Sequence, residues 1–320
     1  MQRKTKIALV AAILLVVAGV ALFAAVMQQN GWDFTMLSTG KFKLKTYEIS
    51  QKFRSVSIRT DTADIAFVLS QDGKCRVECY EDVKAEHSVT VEENTLSVQL
   101  MDHRQWYDHI DIYLDTPKIT VYLPEAEYTE LFVRENTGDV QIPGDFTCKN
   151  IDISTNTGDI DVSATTTGPM ILQTITGDIT LENMSAGTMK LTVSTGLITV
   201  NDAVCHGDIN VHVSTGETDL TDVKCKKLFS KGSTGDIILN RVIAQELFSI
   251  ERGTGDVRFN GSDALGIFVK TDTGDVTGSL LTGKHFVVEA DTGSVDVPKG
   301  TNGGRCEITT DTGNIKITIP

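Results

Sequence analysis

The sequence predicts an all-β protein: a parallel β-solenoid with coils of about 19–20 residues, behind one N-terminal transmembrane helix. Three observations predict this. A charge-free apolar run lies near the start, a Thr-Gly pair recurs at almost constant spacing, and alignment on that Gly reveals apolar columns.

The apolar run is Ile7–Met27, 21 residues without a charge. At 1.5 Å per residue it makes about 30 Å of helix, the thickness of a bilayer's hydrocarbon core. Arg3, Lys4 and Lys6 precede it and no basic cluster follows. That asymmetry places the N-terminus in the cytoplasm and the remainder outside. Residues 1–6 read as a basic cytoplasmic tip, 7–27 as the anchor and 28–45 as a stalk. A signal peptide cleaved near Phe23-Ala24-Ala25 is the competing reading, but the run exceeds the usual length of such a segment.

A Thr-Gly series runs through 137–138, 157–158, 176–177, 195–196, 215–216, 234–235, 254–255, 273–274, 292–293 and 312–313, its successive members 19 or 20 residues apart. Seven residues before the Gly stand Leu131, Ile151, Met170, Met189, Ile209, Leu228, Phe248, Ile267, Phe286 and Cys306. The positions five before, two after and four after are also apolar, with Ser230, Thr218 and Gly278 as exceptions. Apolar and polar residues alternate, as in a strand with one buried face. A unit this short cannot bury its own apolar face, but a stack of such units can. Ladders spaced by about 4.8 Å would then make a rod of roughly 45–50 Å. The Gly suits a corner at positive φ, and the preceding Thr shares the parity of the apolar columns, which predicts an inward Thr ladder.

Residues 131–320 form this regular part. Upstream, Thr62-Ala63-Asp64-Ile65 and Thr116-Pro117-Lys118-Ile119 keep the same offsets without the Gly, so 46–130 reads as irregular coils or hairpins capping the anchor-side end. At the other end, the rung closing at Ile315–Pro320 is expected to be the open terminus.

Net charge is −14, and a body this acidic repels nucleic acid. Cations, basic proteins and neutral glycans stay open as ligands.

The N-terminal span, the Val-Tyr-Leu-Pro segment Val121–Pro124, the Leu-Phe-Val-x-x-x-Thr-Gly-Asp-Val segment Leu131–Val140 and the serial copies resemble a bacterial family of unknown function labelled "putative adhesin". The resemblance covers residues 46–320, and the family includes LiaG-like proteins encoded beside cell-envelope stress regulators. It implies a membrane-tethered, extracytoplasmic β-solenoid with no established chemistry, and it supplies no catalytic residues.

Several motifs invite a sharper reading. Asp272-Thr273-Gly274, Asp291-Thr292-Gly293 and Asp311-Thr312-Gly313 spell an aspartic-protease motif, but that chemistry needs one carboxylate from each of two lobes, and the repeat period explains the motif instead. The residue after the Gly is Asp in six copies, a carboxylate ladder that could hold Ca²⁺. The bland explanation, Asp satisfying turn amides, is favoured. If a cation binds, Asp272, Asp275, Asp291 and Asp311 are its candidate ligands; otherwise no metal or cofactor is expected.

Cys205 and Cys225 both stand nine residues after their Gly, so they should stack on adjacent rungs within disulfide reach. Cys205-His206 with His212 is too sparse for zinc, and His87, His103, His109 and His285 read as scattered surface residues. His103, Trp106 and Tyr107 form the densest aromatic and polar patch, a candidate binding loop.

The functional expectation is a non-catalytic, single-pass envelope protein. Its solenoid binds an envelope protein or wall polymer, in adhesion or as an accessory in envelope-stress signalling. The alternatives are a spacer rod and a polysaccharide-acting β-helix enzyme. Acidic residues spread by the period, with few Arg or Lys, disfavour the enzyme.

Overall fold

This computed structural model describes residues 3–32, 41–104, 115–299 and 302–320. Its helix α1, Arg3–Gln29, contains an apolar stretch, Leu9–Gln29, long enough to cross a membrane. Leu14, Leu15 and Leu22 are exposed on it.

The rest is a β-solenoid of about nine turns. In the rung of Gly158, one strand (Thr147–Thr157) precedes the corner and another (Ile160–Val162) follows it. Ile151, Ile153, Ile160 and Val162 are fully buried. They pair in parallel register with Leu131, Val133, Val140 and Ile142 on one side, and with Met170, Leu172, Ile179 and Leu181 on the other. Like stacks on like, and each such side chain contributes about 1.5–3 kcal/mol by leaving water.

The corner explains the glycine. Gly158 has φ +139°, and a Cβ there would lie 1.9 Å from the carbonyl oxygen of Gly138, one rung down. The corner threonines are exposed, which corrects the expected inward ladder: by residue Thr157 the chain has already turned, so strand parity no longer holds. The threonine that packs inward is two residues earlier. Thr155, Thr174, Thr271 and Thr310 are buried, and the Thr174, Thr271 and Thr310 hydroxyls donate to the corner glycine carbonyl of the preceding rung at 3.1–3.3 Å.

The aspartate after the glycine also acts between rungs. The Asp159 amide donates to Asp139 Oδ1 at 2.8 Å, that of Asp178 to Asp159 at 2.8 Å, and that of Leu197 to Asp178 at 2.7 Å. Leucine ends this run, and a second begins at Asp236 and passes through Asp256 and Asp275. A second corner lies six residues after the glycine in the middle rungs. Asn183, Asp202, Asp222, Arg241 and Gly261 stack there at φ +51° to +62°. The three that are Asn or Asp tolerate this conformation better than most residues.

Two exceptions to the apolar columns, Ser230 and Thr218, meet inside the solenoid. Arg252 is only 4% exposed, and its Nη2 donates to Ser230 Oγ at 2.9 Å and Thr218 Oγ1 at 3.4 Å. Gly232 leaves the space, since a Cβ there would approach Arg252 Nη1 to 2.5 Å. Burial holds the guanidinium down at about 10, against the opposing attraction of Asp236.

Neither end of the stack follows sequence order. On the anchor side the strands are β1 (Phe42–Ile49), β2 (Ser55–Arg59), β3 (Asp64–Leu69), β4 (Cys75–Asp82), β5 (Ala85–Glu92), β6 (Thr95–Asp102), β7 (Lys118–Leu123), β8 (Glu127–Arg134) and β9 (Val140–Ile142). The earlier rung, β2 and β3, sits between β8/β9 and the later rung, β6 and β7. Antiparallel strands then close the end: β5 beside β6, β4 beside β7, and β1 beside β4. Strand β1 begins inside the segment read as a stalk. The β5–β6 turn has Glu93 and Asn94 both at positive φ, the geometry of a two-residue hairpin.

At the far end, the rung of Gly313 inserts between those of Gly274 and Gly293. The open terminus is therefore the rung of Gly293, not the last residues of the chain. Its Val287 and Val295 are 42% and 45% exposed.

Two predictions follow from the rungs. Gly216→Ala places a Cβ 1.8 Å from the Gly196 carbonyl and should cost about 3 kcal/mol or more in denaturant unfolding. Gly144→Ala, which meets only ordinary 3.6 Å contacts, should change little. Ser230→Val should cost about 1–3 kcal/mol by stripping a partner from the buried guanidinium, and should be near neutral in an Arg252→Val background. An additive double-mutant cycle would refute the pairing.

Candidate functional site

The anchor-side cap gathers the side chains with chemical potential. Strand β4 reads Cys75, Val77, Cys79, Glu81 along its inward parity, and all four are buried. The chain turns at Val83-Lys84, and β5 returns with His87, in line with Val89 and Val91. His87 is 4% exposed, which corrects its reading as a surface residue. The signal was present in the alternation: His87 and Glu81 share the parity of neighbouring apolar residues.

A short hydrogen-bonded chain crosses this region. Glu81 Oε2 accepts the His87 backbone N–H at 2.7 Å and lies 2.7 Å from His87 Nδ1. His87 Nε2 lies 2.8 Å from Thr60 Oγ1, and Tyr47 donates its hydroxyl to the His87 carbonyl at 2.8 Å. Lys43 and Lys45 flank Glu86 and hold its carboxyl down at about 2. Lys45 Nζ also stands 3.8 Å from Glu81 Oε1.

Beside this chain opens a cavity of about 290 Å³, lined among others by Asp61, Asp82, His87, Leu100, Arg104 and Asp115. Arg104 donates to Asp102 at 2.8 Å and stands 3.8 Å from Asp61. Arg104 and Asp115 are the residues on either side of segment 105–114. Of the expected binding loop, His103 is exposed, and Trp106 and Tyr107 lie outside the described residues. A shallower depression of about 280 Å³ crosses the lateral face and is lined by Lys190, Asn210, His212, Phe229 and Lys231.

The other sequence-predicted residues lie in the regular rungs. Asp275 Oδ1 accepts the Asn314 amide at 2.7 Å, so it serves rung stacking. Asp272, Asp291 and Asp311 are exposed, and the one cluster of three potential metal ligands among the described residues includes none of the four. Cys205 continues a small-residue column, pairing with Ala186, and Cys225 pairs in the same column with Ala244. All six cysteines are free and buried, and burial pushes the Cys225 thiol up to about 12.

The sequence pattern of the family described as Toastrack DUF4097 matches residues 53–210 and again 205–320. No curated protein matches the chain. Among solved structures, a "putative adhesin" from Bacteroides fragilis is 18% identical, with TM-score 0.43, covering 87% of this chain and 97% of that one. A "putative lipid binding protein" from Parabacteroides distasonis is 14% identical, with TM-score 0.47, covering 87% and 98%. A "putative adhesin" from Parabacteroides merdae is 12% identical, with TM-score 0.47, covering 75% and 97%.

Next to the cavity, Glu135 is buried with both carboxylate oxygens unbonded; burial, reinforced by Asp64 and Asp139, pushes its carboxyl up to about 8. Between its ordinary value of 4.5 and about 8, the folded chain keeps a proton that the unfolded chain has lost. Stability therefore falls as pH rises through that window. Thermal melts from about pH 5 to about pH 9 should show a loss on the order of a few kcal/mol that Glu135→Gln abolishes. Parallel pH profiles for the two proteins would refute the assignment.

Proposed function

The chain belongs to the Toastrack DUF4097 family, and on that premise we propose that it is a membrane-tethered, extracytoplasmic binding module whose anchor-side cap engages an envelope protein or wall polymer without catalysing a reaction. The observation that carries this reading is the cap cavity. It combines a charged rim at Asp61, Arg104 and Asp115 with the apolar wall of Leu100, on a scaffold held rigid by in-register rungs. The exposed apolar face of α1 supports a single-pass anchor, and the basic N-terminal tip supports a cytoplasmic N-terminus. The role is then adhesion, or that of an accessory in envelope-stress signalling of the LiaG-like type.

A second reading, a spacer that associates end to end, is favoured by the Gly293 rung, whose column residue Val295 is 45% exposed. It predicts a concentration-dependent dimer of the solubilised chain that Val295→Lys dissociates.

Site-specific photo-cross-linking of the full chain in its own membrane tests the first reading. A probe at Asp115 should give a defined adduct that Asp61→Ala with Arg104→Ala removes, while a probe at Lys190 on the lateral face should not. Equal adducts from both positions, or adducts indifferent to the paired substitution, would overturn it.

A further inference from the structure

We propose that Cys79, Glu81 and His87 form a binding site for one divalent transition-metal ion of the zinc class, built into the cap independently of any partner at the cavity. The sulfur, carboxylate and imidazole ligand atoms all lie within 4.8 Å of one another, and all three residues are buried. Ligands of a tetrahedral zinc ion stand about 3.3–3.8 Å apart, so closing the trio needs displacements of an ångström or so. One sulfur, one nitrogen and one oxygen are ligands that zinc accepts, whereas calcium and magnesium take oxygen alone.

A second observation points the same way. Glu81 Oε1 is fully buried and has no hydrogen-bond partner; its nearest cation, Lys45 Nζ at 3.8 Å, is engaged by Glu86. The His87–Glu81 pair alone would explain Oε2 and leave Oε1 bare. An ion between the three ligand atoms supplies what Oε1 lacks.

The surroundings also fit a metal site. With Nδ1 on the ion, His87 Nε2–H is left to donate to Thr60 Oγ1, the outer-shell bond that fixes a ligating imidazole. The His87 backbone N–H fixes the Glu81 carboxylate in turn. Spacing supplies the ligands locally: Cys79 and Glu81 are two apart on one face of β4, and β5 brings His87 back across a two-residue connection. The route in is the 290 Å³ cavity, whose wall includes His87. On binding, the Cys79 proton leaves to solvent and the ion takes the thiolate; with Glu81 this balances the two positive charges, and a water completes four ligands.

The test uses the full chain in detergent, stripped with chelator and titrated with Zn²⁺ and then Co²⁺. The expected result is one equivalent of Zn²⁺, a raised melting temperature, and a thiolate-to-cobalt charge-transfer band in the Co²⁺ form. Cys79→Ser should abolish the band, and both it and His87→Gln should weaken Zn²⁺ binding by about 10-fold or more. Cys306→Ser, which removes another buried thiol, should leave binding unchanged. No stoichiometric ion on the unaltered chain, or no charge-transfer band, overturns the proposal whatever the variants do. Undiminished affinity in both Cys79→Ser and His87→Gln overturns it equally.

Discussion

The structure depends on one close approach: at each Thr-Gly corner, the Cα of the glycine lies against the carbonyl oxygen of a neighbouring rung. The gap leaves no room for a Cβ, which would sit about 2 Å from that oxygen at Gly158, Gly177, Gly196 and Gly255 alike. From this contact follow the spacing of the rungs and the in-register stacking of the apolar columns. It also aims the backbone amide after the glycine at the residue below. An aspartate there accepts that amide through one oxygen, which makes a row of like charges tolerable: each carboxylate is engaged by a backbone donor, and at Asp236 and Asp256 the remaining oxygen pairs with Arg258 at 3.0 and 2.8 Å. The ladder breaks at Leu197 without breaking the solenoid, so it supports the corner but does not create it.

Much of this was legible in the sequence because the repeat is a physical requirement written many times. Columns seven and five before the glycine, and two and four after it, are buried almost without exception. The reading failed where periodicity stops being a guide to direction. Parity assigned the corner threonine to the interior, yet the turn is already under way at that residue and the buried threonine lies at position 155, 174, 271 or 310. The second corner, six residues after the glycine, is marked only by Asn183, Asp202, Asp222 and Gly261, and Arg241 sits in the same conformation with nothing in its type to announce it.

The candidate site was less legible, for a related reason. The exceptions Ser230 and Thr218 were visible as exceptions, but their meaning needed Arg252, which is remote in sequence and reaches both from inside the solenoid. Glu81 and His87 belong to strands that carry no Thr-Gly corner, so alignment on the repeat could not place them. Their parity with Cys79 and Val89 puts each on a buried face, but antiparallel pairing, not repetition, brings the two faces together. Chemistry-bearing residues therefore concentrate where the repeat has ended.

The swapped order at both ends is the remaining consequence of interchangeable rungs. When every corner presents the same carbonyl and the same columns, sequence order does not dictate spatial order; the quality of each rung's inward face does. The rung of Gly313 brings Cys306, Ile308, Thr310, Ile315 and Ile317, all buried. Thr310 bonds to the Gly274 carbonyl at 3.1 Å, and the Asn314 side chain and amide bond to Asp275 at 3.2 and 2.7 Å. The rung of Gly293 has Ala290 in place of the inward threonine, and Ser294 in place of the aspartate. Ser294 spends its hydroxyl on Asn314 at 2.8 Å, so it offers no carboxylate onward. The better rung lies between two neighbours and the poorer one faces water. Since the aspartate column ends with the serine, the stack carries at its tip a residue that does not extend the ladder, while the buried Glu81 and His87 sit at the opposite, antiparallel end. The two ends thus differ in kind: the tip stops repetition, and the cap replaces repetition with a cavity and a ligand-rich core.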